Sequence, residues 1–193
     1  QFGLIVTRAL MAVFPLLTVL LSGLFLKEEI TRIKVVAVGV GFLGVTIIIN
    51  PINLEFSLVS VLPLISAVTF AIYAVLTRKV ASTDNTETSF FWVSLVSAIA
   101  ITIPSPLFYK PIQFSDLYFL VLLCTFSLVG HFLLTNAYRH AEASVLQPFS
   151  YFHLFFASVV GIIFFQDPLT ISTVAGGGLI VFGGILISRK SKL

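Results

Sequence analysis

The chain has 193 residues, of which 58% are hydrophobic and 10% charged, with a mean hydropathy of +1.11. A soluble domain carries about a quarter charged residues, so a water-soluble globular fold is excluded. The net charge of +3 and pI near 9.2 do not point to nucleic acid, because the basic residues stand in ones and twos between apolar runs.

A helix needs about 20 mostly apolar residues to cross a bilayer, and seven such runs are predicted: 2–25, 32–50, 57–77, 89–105, 116–138, 144–165 and 169–188. The first carries Pro15, which removes a backbone hydrogen bond and bends a helix, with Thr18 and Ser22 on its face. The second holds Ala37, Gly41 and Gly44 and ends at Pro51. Small residues let helices approach closely where lipid supplies no hydrophobic drive for association. After the short link INLEF, the third places Ser66, Thr69 and Tyr73 on one face. The fourth has Trp92 near an interface, where an amphipathic indole is expected.

The fifth run presents Cys124, Ser127, His131, Thr135 and Tyr138 within about 80 degrees of one another at helical spacing. Such a face in hydrocarbon must find partners or water, which leaves a wet solute cavity or hydrogen bonds between helices. The sixth run repeats the pattern with Ser144, Gln147, Tyr151 and Ser158, and Pro148 opens its backbone ladder. Gln147 offers donors and acceptors, and Tyr151 adds a hydroxyl on an aromatic surface suited to stacking an organic solute. A brace across the proline break is the alternative role for Gln147. His131 is ionisable within a span, a functional hypothesis by default, although a neutral histidine satisfied by a neighbouring hydroxyl fits equally. His153 points well away from this stripe.

No carboxylate falls near the middle of a predicted span, so a carboxylate proton relay is not expected. Cys124 and His131 share a face but fall short of the three or four ligands a zinc site requires; no metal, cofactor or catalytic cluster is predicted. One cysteine permits no intrachain disulfide.

The chain matches itself at an offset of 139 residues, without a gap. Phe25 lies over Phe164, Glu28 over Asp167, Thr31 over Thr170, Val35 over Val174, Gly39 over Gly178 and Gly44 over Gly183. Such repeats reset the fold reading. Nine basic residues, Lys27, Arg32, Lys34, Arg78, Lys79, Arg139, Arg189, Lys190 and Lys192, fall on one side of the predicted topology. Only Lys110 and Arg8 fall towards the other, which places the C-terminus in the cytoplasm by the positive-inside rule. The two copies are therefore inverted, as an odd number of helices per repeat requires. The first copy lacks a counterpart of residues 52–139, which predicts a longer intact protein of roughly 280 residues and ten helices.

The run PLLTVLLSGLFLKE from Pro15 to Glu28, followed by Lys34, Ala37, Gly41 to Gly44 and Pro51, resembles the end of the first EamA repeat of drug/metabolite transporters. NAYRHAEASVLQPFSY from Asn136 to Tyr151, then FFQDP, is similar to the matching part of the second. The resemblance implies an inner-membrane carrier of two inverted five-helix repeats that moves amino acids or similar small organic solutes. Relatives commonly place a glycine before the hinge acid, where this chain has Lys27 and Gln166.

The expectation is thus an all-α polytopic membrane bundle with seven transmembrane helices of ten. Residues 1–51 form the last two helices of the first repeat and 52–193 the complete second. It is expected to be a carrier rather than an enzyme, with the bilayer and a small-molecule substrate as its partners, and to work by alternating access. Its expected solute site is Tyr73, His131, Thr135, Tyr138, Gln147 and Tyr151. A seven-helix receptor or sensor is the alternative, and an integral-membrane enzyme using Cys124 and His131 the third reading.

Overall fold

The computed structural model describes residues 10–49, 61–109, 111–166 and 170–190, and all regular structure among them is helical. In chain order these are α1 (Phe14–Leu21), which widens into a π-turn over Ser22–Leu26, α2 (Arg32–Ile49), α3 (Val61–Val80) and α4 (Thr86–Thr102). After 3-10 turns at Ser105–Phe108 and Phe114–Asp116 come α5 (Leu117–His140), α6 (Ala143–Ser150), α7 (Phe152–Phe165) and α8 (Ile171–Lys190).

Among the described residues, five segments are long and apolar enough to cross a membrane: Arg32–Ile49, Val61–Val80, Phe114–His140, Ala143–Phe164 and Ile171–Arg189. Phe14–Leu26 and Thr86–Thr102 are apolar but shorter. Each of the seven expected runs is helical over most of its described residues, and two of these helices are shorter than the sequence suggested. The expected runs 2–25, 32–50, 57–77 and 169–188 lie partly outside the described residues, and Pro51 and the INLEF link wholly so. The fourth starts earlier than expected because the Asn85 side chain accepts a 2.7 Å hydrogen bond from the Thr88 N–H and caps α4.

Prolines set the interruptions. Pro15 opens α1 after a turn at Ala12 and Val13, since the ring has no N–H for the carbonyl four residues earlier. Pro148 acts likewise in the sixth run, which is two helices rather than one. α6 stops at Ser150, Tyr151 forms the joint, and α7 restarts with a Leu154 N–H to Tyr151 carbonyl bond of 3.0 Å.

The chain forms two compact units, residues 1–76 with 141–193, and residues 77–140. The first is built on α2 packed antiparallel against α8. A methyl added to Gly44 would sit 2.5 Å from the Gly176 carbonyl oxygen, and one on Gly176 would sit 2.5 Å from the Gly44 carbonyl oxygen. Only glycine admits that approach. Further along, Gly183 lies against the Ala37 carbonyl, and Gly41 gives room to the Tyr151 ring. Val19, Val38, Val45, Tyr151, Leu154 and Ile180 fill the core around this crossing. In the second unit α4 and α5 pair through Phe90 against His131 and Phe132, and Thr86 donates to the Asn136 side-chain oxygen at 3.1 Å. Arg78 donates to the carbonyls of Tyr138 and Arg139, placing a cation on the C-terminal end of α5, where the helix dipole favours it.

The 139-residue offset recurs in the backbone of the first unit. Among the described residues two non-glycines have positive φ, Lys27 at 56° and Gln166 at 57°. Each caps its helix with its own N–H, to the Ser22 and Gly161 carbonyls, which are themselves 139 apart. α2 begins at Arg32 and α8 at Ile171, again 139 apart, and the two run in opposite directions. The left-handed turn, which glycine adopts most readily, is thus made at both positions by other residues, a lysine and a glutamine.

Candidate functional site

Two constructions in the first unit hold polar groups where a membrane protein has few. The first lies at the Lys27–Thr31 hinge. The Glu28 carboxylate accepts from the Ala143 N–H at 2.8 Å, the Ser144 N–H at 2.9 Å and the Ser144 hydroxyl at 2.6 Å. The first N–H groups of a helix lack intrahelical partners and carry the positive end of its dipole, so Glu28 caps α6 from across the fold. Beside it the buried Lys34 ammonium donates to the Glu29 carbonyl at 2.7 Å and pairs with the Glu142 carboxylate. An apolar cavity of about 470 Å³, bounded by Leu16, Val19, Val35 and Val38, ends at Glu28.

The second construction lies where the two proline interruptions meet. The Tyr151 hydroxyl donates to the Ala12 carbonyl at 3.1 Å, and Ala12 and Tyr151 are also 139 positions apart. The two breaks therefore touch at corresponding points. A cavity of about 250 Å³ opens there, bounded by Ala12 and Phe14, by Val45 and Ile49 of α2, and by Tyr151 and His153. A proline break frees backbone carbonyls, and irregular backbone at membrane depth is tolerated where it lines a cavity or is buried in protein.

Each expected residue can now be placed. Tyr151 is buried at the joint and on the cavity wall. Gln147, one turn earlier, is fully buried: its Nε2 donates to the Ala143 carbonyl at 2.8 Å, and its Oε1 has no partner among the described residues. That is the bracing geometry considered as its alternative role. Tyr73 is half-buried on α3, its ring 5.7 Å from Phe70, which in turn packs edge-on against Phe14 at 4.9 Å.

His131, Thr135 and Tyr138 belong to the second unit. Thr135 is buried and donates to the His131 carbonyl at 2.9 Å, Tyr138 is buried, and the His131 ring lies 5.9 Å from Phe90. The stripe's outer part, Cys124 and Ser127, is exposed. Structure thus groups Tyr151 with Ala12 and Phe14, and separately groups the stripe residues on α5.

Sequence reasoning missed three partners. The Glu28 cap on α6 and the Lys34–Glu142 pair join segments more than 100 residues apart, and no local signal announces them. Helical spacing turns His153 away from the stripe that holds Tyr151, but the joint at Tyr151 interrupts that spacing and both residues bound one cavity. Among the described residues no group of three or more His, Cys, Asp or Glu side chains is placed to hold a metal.

The profile of the EamA-like transporter family matches residues 58–189. A pseudopaline exporter of Pseudomonas aeruginosa is 30% identical over 180 residues, covering 92% of this chain and 63% of the relative. A riboflavin transporter of Brucella anthropi is 28% identical over 188 residues, covering 94% and 66%. An S-adenosylmethionine uptake transporter of Rickettsia felis is 25% identical over 179 residues, covering 92% and 60%. The chain thus spans less than two thirds of the length of these relatives. A solved crystal structure shares the fold with a TM-score of 0.82 at 17% identity, covering 96% of this chain and 69% of that one.

Proposed function

This chain belongs to the EamA-like transporter family, and from that premise we propose that the multi-pass membrane protein it represents is a carrier of small organic solutes working by alternating access between two inverted repeats. Residues 1–51 supply the end of the first repeat and 52–193 the second, with the C-terminus in the cytoplasm of a plasma-membrane protein. The observation that carries the reading is the meeting of the two helix breaks at Ala12 and Tyr151 beside a cavity. In carriers of inverted repeats, solutes bind near mid-membrane at the repeat interface, where helices are discontinuous.

The cavity walls suit the apolar face of a flat ring, with Phe14 and the Tyr151 edge for aromatic contact. A volume of about 250 Å³ falls below the roughly 300–1,000 Å³ of pockets that enclose drug-sized ligands. It holds one ring system rather than a whole cofactor-sized molecule. Riboflavin and S-adenosylmethionine, named for two relatives, each carry such a ring. Tyr73, His131, Thr135, Tyr138 and Gln147 remain further candidates for solute contact or for support of it.

Transport of radiolabelled riboflavin and S-adenosylmethionine by the full-length protein in proteoliposomes tests the proposal. Tyr151→Ala should lower uptake of the carried solute at least about tenfold, the equivalent of about 1.4 kcal/mol, with unchanged membrane expression. Equal uptake by Tyr151→Ala would move the site elsewhere.

A further inference from the structure

His153 lies midway along the Ala143–Phe164 span, about 15 Å from either end at 1.5 Å per residue. Its side chain is exposed rather than buried. An imidazole facing hydrocarbon at that depth would leave a nitrogen without a hydrogen bond, a costly arrangement in lipid. His153 is instead among the residues that bound the cavity at the two helix breaks.

Its chemistry there is fixed by one bond. Nδ1 lies 2.6 Å from the Ser150 carbonyl oxygen, which can only accept, so Nδ1 carries the proton and donates. In the neutral ring Nε2 is then an acceptor. The Tyr151 hydroxyl spends its proton on the Ala12 carbonyl. Among the described residues that line this cavity there is no carboxylate, lysine or arginine.

We propose that His153 is a specificity-determining residue of this site, its Nε2 accepting a hydrogen bond from an N–H or O–H donor on the edge of a flat organic solute. The inference rests on the carrier reading above and narrows its substrate class: a ring whose faces meet apolar side chains and whose rim bears a donor. A solute with the same ring and no donor loses that bond and leaves a polar nitrogen unmatched, the situation in which sites discriminate best.

The test uses the full-length protein and has two ligand-free arms. In a Cys124→Ala background, His153→Cys should react with a charged, water-borne methanethiosulfonate reagent, whereas Phe156→Cys, exposed one turn away on α7, should not. In ¹⁵N-histidine spectra, a resonance pair lost in His153→Gln should show the Nδ1-protonated form. An unreactive His153→Cys, or an Nε2-protonated ring, overturns the proposal whether or not a carried solute is known.

The third arm uses riboflavin, whose ring carries an imide N–H, against N3-methylriboflavin, which lacks it. Wild-type protein should favour riboflavin by about tenfold. His153→Phe should abolish the preference, and His153→Gln, which restores an acceptor, should recover part of it. Preference unchanged in His153→Phe overturns the proposal. Absence of riboflavin uptake by wild-type protein counts against riboflavin as the carried solute, and the labelling and tautomer arms then decide the role of His153.

Discussion

The two hinges of the first unit share a backbone and differ in chemistry. Lys27 and Gln166, 139 residues apart, take the same left-handed conformation, and each closes its helix with the corresponding hydrogen bond. The first hinge then reaches outward: Glu28 caps α6, and Lys34 pairs with Glu142. In the second, the described contacts are local. Thr170 caps its own helix by accepting from the Thr173 N–H at 3.1 Å, and Thr173 stands where Lys34 stands in the first copy. Thr31, the counterpart of Thr170, has a buried hydroxyl with no partner among the described residues. Among the described residues the turn recurs in both copies, whereas the charged contacts that tie one copy to the other are those of the first hinge.

Breaking the outward contacts should produce the largest effect. Glu28→Ala removes three hydrogen bonds from the start of α6, and a loss of about 2–3 kcal/mol is expected, since bonds to a charged group contribute about 1.5–3 kcal/mol each and do not sum. Unfolding of the purified protein in mixed detergent measures it. Glu142→Ala comes next. It leaves the Lys34 ammonium, on a side chain only 8% exposed, with the Glu29 carbonyl as its remaining partner among the described residues. A cost of about 1–2 kcal/mol is expected, below the value for a fully buried pair because Glu142 is 42% exposed.

Thr170→Ala in the second hinge should cost about 1 kcal/mol, the ordinary loss of a helix cap. If it costs as much as Glu28→Ala, the contrast between the hinges fails. The smallest effect has the opposite sign and should be equal at both sites. Lys27→Gly and Gln166→Gly relieve about 1–2 kcal/mol of left-handed strain and give back part of it as chain entropy, for a net gain of about 0.5–1 kcal/mol each. A gain at one hinge and a loss at the other would show that the two turns are not equivalent.

Much of this was legible in the residues themselves. A helix in lipid must satisfy its own backbone and present apolar side chains, so composition and run length sufficed to show an all-helical membrane protein. Pro15 and Pro148 marked where helices would break, because a missing N–H acts locally. Gly41, Gly44 and the glycines of the last helix marked a close helix crossing, although not which pairs would touch. The opposed directions of α2 and α8 agree with the inversion expected from the placement of lysines and arginines.

The candidate site was less legible. Tyr151 was singled out by spacing, and it does stand at the cavity. The same spacing turns His153 away from the stripe, but spacing holds only while the helix is continuous, and Tyr151 is where continuity ends. Gln147 shared the stripe with Tyr151; it is buried, its Nε2 donates to the Ala143 carbonyl, and its Oε1 has no partner among the described residues.

By itself, then, the sequence determined the helical membrane fold, the offset between its two copies and the points where its helices bend, since each follows from backbone chemistry within a few residues. Only the tertiary structure decided that Glu28 would cap a helix 115 residues away, that Lys34 would meet Glu142, and that Tyr151 and His153 would face one space with Ala12. Those pairings depend on how helices from distant parts of the chain cross, and the pattern along any single helix does not encode the crossing.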